Sequence, residues 1–143
     1  MSTRPLQSLL VEAQEAGAFH LIDRDLAPLQ SAARDLGLFT ITLDLAGCGD
    51  KGELLRRMAE AFEFPAYFGH NWDALDECLA DLAWLDAQGF VLGIEHSGEL
   101  RKAGGDDYAT FVSVLEQATD QWRDRGVPFW VFITLPEDDF EAL

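Results

Sequence analysis

The sequence has 143 residues, enough for one domain with a sizeable core, and its 48% apolar and 25% charged residues exclude a disordered chain. Ten Lys and Arg against 26 Asp and Glu leave a net charge of −16, which excludes a nucleic-acid binder, because gripping phosphates takes clustered cations. Such a field steers a chain toward a basic protein partner, although a need for solubility accounts for it equally well. Two cysteines, Cys48 and Cys78, lack metal-ligand or CxxC spacing and so exclude a disulfide scaffold and fit a reducing compartment. The first residues hold no basic stretch followed by an apolar core, and no window approaches 18 apolar residues. A cytoplasmic protein without a membrane segment is expected.

Along the chain, Leu6, Leu9, Leu10 and Ala13 recur at helical spacing and predict a helix over residues 6–16, ended by Gly17. Residues 18–22 suit a short strand, and Asp25 opens a helix to Leu36 with Pro28 in its first turn and Gly37 as its stop. Alternation and β-branched residues predict a strand over 39–45. Asp50, with Glu53 three positions on, has the form of a capping box opening a helix to Phe62, whose inward positions are Leu54, Leu55, Met58, Ala61 and Phe62. Beyond Pro65 a helix runs from Asn71 to Leu82 or Trp84. The apolar run 90–94 reads as a buried strand, 107–125 as a long helix stopped by Gly126, and 129–133 as a strand; the acidic tail from Pro136 is expected to fray. Strands alternating with helices give an α/β fold with a parallel sheet. The continuous apolar runs suit strands that are buried on both faces or central in a small sheet.

Between Arg57 and Arg101 there is no Lys or Arg, yet the stretch holds nine carboxylates. On a helix over 71–82, at about 100° per residue, Leu75, Leu79 and Leu82 share one side, flanked by Trp72 and Cys78, while Asp73, Asp76 and Glu77 share the other. Like charges at i, i+3 and i, i+4 cost an isolated helix about 0.2–0.5 kcal/mol a pair. Asp73 recovers part of this beside the positive end of the helix dipole, whereas Asp76, Glu77 and Asp81 do not. A helix serving only as a solvated cover would normally mix Lys with Glu, so the pattern points to a cationic partner, beside the plainer reading of a merely acidic exposed face. In the preceding loop, Gly69 is expected at positive φ where the chain turns, and Asn71 is expected to cap the helix. Tyr67 is expected to stand exposed as an anchor, with Phe68 in the core.

The segment Phe64-Pro-x-Tyr-Phe-Gly-x-Asn-x-Asp-Ala-Leu-x-x-Cys-Leu79 resembles the barstar family of ribonuclease inhibitors, and the order of elements over 39–135 resembles it more weakly. The resemblance implies a two-layer α/β fold with a small parallel sheet of about three strands, over residues 38–143, with residues 1–37 as an N-terminal extension packed on the domain. It also implies an inhibitor rather than an enzyme, without catalytic residues, metal or cofactor. The expected partner is a basic extracellular-type, barnase-like ribonuclease or a related basic protein, plugged by the loop and acidic helix. Tyr67, Gly69, Asn71, Asp73, Asp76 and Glu77 match the family's partner-facing positions, and Asp81 extends that face. Asp73 matches the acid that enters the phosphate-binding site, so its carboxylate would stand in for an RNA phosphate. Asp76 replaces a tryptophan of the best-known member, making the contact more charged. The family's further acid, on the long final helix, falls at Asp120 or Gln121. Two other readings stand beside the inhibitor: an adaptor docking a different basic protein, and a metal-dependent hydrolase using His70, Asp73 and Glu77.

Overall fold

In the computed structural model, which describes residues 6–103 and 105–141, four strands lie side by side in one all-parallel sheet. They are β1 (Ala18–Ile22), β2 (Phe39–Asp44), β3 (Phe90–Glu95) and β4 (Phe129–Leu135), in the order β1-β4-β3-β2. The helices are α1 (Leu6–Leu10), α2 (Leu26–Asp35), α3 (Lys51–Ala61), α4 (Trp72–Asp81), α5 (Gly98–Ala103), α6 (Gly105–Asp124) and α7 (Glu137–Glu141). The sheet therefore has four strands rather than about three, because β1, from the N-terminal segment, pairs with β4 from Ala18↔Val131 to Ile22↔Leu135.

Successive strand residues point to opposite faces, and here both faces are buried. Phe90, Leu92 and Ile94 of β3, with Phe129, Val131 and Ile133 of β4, pack on Leu54, Leu55 and Met58 of α3, Leu75 and Leu79 of α4, and Phe111 and Leu115 of α6. Val91, Trp130 and Phe132, from the alternate positions, pack on Leu26, Leu29 and Ala33 of α2 and on Leu10. Helices thus cover the sheet on both sides, where two layers were expected. The physical cause is the link from β1 to β2, the two edge strands, which carries α2 across the second face. Gly93 makes this approach possible: a Cβ there would stand 2.8 Å from Leu26 Cδ1 and 3.0 Å from Gln30 Nε2. Gln30 Nε2, so placed, donates to Thr42 Oγ1 at 2.7 Å.

Most predicted elements stand within a residue or two, and Gly37 and Gly126 end α2 and α6 at φ +79° and +76°. Three differ. The helix expected over 6–16 stops at Leu10, where the core indole of Trp130 takes the Leu10 carbonyl (2.9 Å), and a 3-10 turn follows at Ala13–Glu15. Helix α5 was not foreseen, because six residues with Leu100 as the buried position carry no readable period. The tail expected to fray instead forms α7, where Glu137 pairs with Arg24; residues 142–143 lie outside the described part. The Asp50 cap forms, accepting Glu53 N–H at 2.9 Å. The Glu53 carboxylate, however, turns to Arg56 and Arg57 rather than back to the cap, and their hydrogen bonds hold its pKa down to about 2. Among the described residues no helix is long and apolar enough to cross a membrane.

Candidate partner-binding site

The loop between α3 and α4 is fixed from below by aromatic packing. Phe64 stacks on Phe62 (centroids 5.8 Å apart) and meets Phe68 (4.8 Å), and Trp84 Nε1 donates to the Phe62 carbonyl at 2.8 Å. A turn closed by Phe68 N–H on Pro65 O (3.0 Å) then throws Tyr67 outward. Tyr67 is 74% exposed and Phe68 6%, as their places in the sequence suggested.

The entry into α4 differs in one detail. Gly69 does not take positive φ; His70 does, at +53°, with its Nδ1 3.1 Å from the Phe68 carbonyl oxygen and its ring against Phe68. Gly69 serves a different need, since a Cβ there would lie 3.3 Å from Asn71 Nδ2. That side chain must stay put, because Asn71 Oδ1 caps the helix by accepting Ala74 N–H at 2.7 Å. Leu75, Cys78 and Leu79 anchor α4 to the core, and Trp122 of α6 donates its Nε1 to the Leu79 carbonyl at 2.7 Å.

On the outer side Asp73, Glu77 and Asp81 are exposed. Asp76 is a correction: it is half-buried, with Oδ1 shielded and unpartnered, because it sits closer to the packed flank than its helical angle implied. Among the described residues none of these four carboxylates joins an ion pair or a side-chain hydrogen bond. The tertiary fold does bring cations to the ends of α4, which the sequence did not reveal. Lys51 Nζ lies 5.4 Å from the Trp72 ring centroid, and Arg125 caps the far end by donating to the Ala80 carbonyl. Both contact a ring or a carbonyl rather than a carboxylate of α4, and each keeps its charge. Glu60, in the same cation-free stretch, is paired with Arg56.

Tyr67, Phe68, Gly69, Glu77, Cys78 and Asp81 line a groove of about 170 Å³ beside this face. On α6, Asp120 is exposed and held by Arg123 at 2.9 Å, while Gln121 is half-buried with an unpartnered Oε1. The metal centre weighed from the sequence is not assembled: His70 is engaged with its own loop, and no group of three His, Cys, Asp or Glu side chains among the described residues is placed to hold an ion.

The loop and α4 thus present three exposed carboxylates and Tyr67 on a parallel α/β frame. The family model described as barstar (barnase inhibitor) matches residues 38–134, from just before β2 almost to the end of β4. The chain belongs to the barstar family, which is a family of inhibitors and not of enzymes. A comparison with curated proteins gives no match.

Proposed function

We propose that this chain is a cytoplasmic inhibitor of a basic, barnase-like ribonuclease, and that it blocks the enzyme's active site with the 65–71 loop and the outer face of α4. The observation that carries the reading is the exposure of Asp73, Glu77 and Asp81 without ion-pair partners among the described residues, next to an almost fully exposed Tyr67. A ribonuclease binds its substrate with cations arranged for phosphates. Carboxylates on a capped helix offer the same charge at fixed spacing, with little entropy left to lose on docking. Tyr67 adds a rigid ring that can fill a base-sized cleft at low conformational cost. Asp73 in the first turn and Glu77 one turn on stand in for phosphates; Asn71 and Gly69 hold the loop that presents them. Asp76, half-turned inward, contributes less than its position implies, and of the two candidates on α6 Asp120 is the exposed, charged one.

The test is RNA cleavage by a panel of small basic ribonucleases, with and without the purified protein. Stoichiometric inhibition of at least one enzyme is expected, weakened on the order of tenfold or more by Asp73→Ala. No inhibition and no binding across the panel would overturn the reading. Binding without inhibition would replace it with that of an adaptor for a basic protein.

A further inference from the structure

The two edges of the sheet, β1 and β2, are finished differently. Along β2 the Phe39 and Leu45 amides donate to Gly89 and Glu95 on the β3 side, so Thr40, Thr42 and Asp44 turn their backbone groups outward. That edge is guarded. Arg57 of α3 donates to the Asp44 carbonyl at 3.0 Å and to the Ala46 carbonyl at 2.7 Å, and an added strand would have to displace the guanidinium.

No such guard stands along β1. Val131 donates to the Gly17 carbonyl at 2.9 Å, so Gly17, Phe19 and Leu21 turn their backbone groups toward β4, while Ala18, His20 and Ile22 turn theirs outward. No described residue bonds the outward groups of Ala18 or His20. From Ala16 to Ile22 there is no Asp, Glu, Lys, Arg or Pro, the residue types that commonly keep an edge strand from pairing. Phe19 rests on Trp130 and Phe132 yet is 46% exposed; among large apolar side chains of the described residues only Val11 and Tyr67 are also exposed. Grooves open on both faces of the strand, one of about 390 Å³ beside Phe19, Leu9 and Leu29, the other of about 260 Å³ beside His20, Val112 and Glu116.

We infer that β1 pairs with β1 of a second copy of this chain, antiparallel about a two-fold axis at His20, so that two four-stranded sheets become one. The outward backbone groups match themselves in this register. His20 exchanges both N–H···O bonds with its copy, and Ile22 meets Ala18 on either side of the axis. Phe19 then falls opposite Leu21 on the face that carries Trp130, and no pair across the axis opposes two carboxylates. A basic partner would find no carboxylate in this strand to grip, whereas an identical uncharged strand has nothing to lose. The guarded β2 edge stops the pairing at two copies instead of letting it run on. Five paired residues with their flanking side chains bury on the order of 1,000 Å², the low end for a specific dimer, so a dissociation constant on the order of 10–100 μM is expected. The grooves beside β1 share no residue with the groove at Tyr67, and the inference is independent of ribonuclease inhibition.

Sedimentation velocity of the full chain, from about 1 μM to about 1 mM, should show monomer passing to dimer. Because each copy carries −16, the dimer should tighten as salt rises, opposite in sign to charge-steered binding of a basic enzyme. His20→Glu sets two carboxylates face to face on the axis, and Phe19→Lys puts a charge on the edge. Both positions are exposed, so each change should weaken the dimer by about tenfold or more with circular dichroism unchanged. With the native Cys48 and Cys78 buried, His20→Cys should give a disulfide-linked dimer under mild oxidation, since the paired Cα atoms would stand about 5.5 Å apart, and Tyr67→Cys should not. A monomer throughout the range, a dimer loosened by salt, a dimer untouched by both charge variants, or a His20→Cys dimer that does not cross-link would each overturn the inference.

Discussion

Asn71 and Asp73 are two residues apart and do opposite work. Asn71 Oδ1 caps α4, so Asn71→Ala should destabilise the protein by about 1 kcal/mol, read as a lower urea midpoint at unchanged slope. Asp73→Ala removes one of several like charges and no internal bond, so its melting temperature should hold or rise while affinity for a ribonuclease falls; a lower melting temperature with unchanged affinity would mark it as structural. A further residue-scale expectation concerns pH. The Asp44 carboxylate hydrogen-bonds His96 and raises the imidazole above its ordinary 6.5, while the Ala46 N–H first, and His96 second, lower the Asp44 carboxyl below 3.8. The raised His96 stabilises fully below 6.5 and loses that contribution as pH rises through its folded value. The lowered Asp44 stabilises above 3.8 and loses its contribution as pH falls through its own. The pair is therefore strongest between about pH 4 and about pH 6.5, and His96→Gln should flatten the decline in stability above that window, seen in urea melts at about pH 5.5 and about pH 8. The effect is small, because both side chains lie mostly in water. At this scale the sequence distinguished exposed Tyr67 from buried Phe68, since a phenol needs water or a partner and a phenyl ring needs neither. It misplaced the left-handed residue: His70 rather than Gly69 takes positive φ, with its ring against Phe68.

Among the elements, α2 and β1 carry the largest departure from expectation. Trp130 and Phe132 alternate with Val131 and Ile133 along β4, so the strand presents a second apolar face that something must cover. In this chain the N-terminal segment covers it. Removing residues 1–37 should expose Val91, Trp130 and Phe132 and yield a chain that binds a hydrophobic dye and associates on size exclusion, even though the family match begins at residue 38. Gly93→Ala should cost about 1–3 kcal/mol in a denaturant melt, because the new methyl meets Leu26 and Gln30 and pushes α2 from the sheet. Helices α3, α4 and α6 were legible because each repeats a long apolar stripe. The short α5 was not, and α1 was overextended because Trp130, 120 positions away in sequence, ends it.

For the whole molecule, the −16 charge acts at long range. Association with a basic ribonuclease should slow steeply as salt rises, since the screening length falls from about 10 Å at 0.1 M to about 3 Å at 1 M, while dissociation changes little. Stopped-flow association at two ionic strengths reads both rates. Composition, hydrophobic period, turn residues and the Phe64–Leu79 motif by themselves determined the fold class, the buried stripes and the acidic loop-helix unit, because each is a property of neighbours along the chain. The joining of the 18–22 strand to the sheet beside β4, the covering of the second sheet face, the inward tilt of Asp76, and the delivery of Lys51 and Arg125 to the ends of α4 were decided by the tertiary structure alone. Those features join residues far apart in sequence, and their meeting depends on how the helices cross the sheet rather than on any local preference.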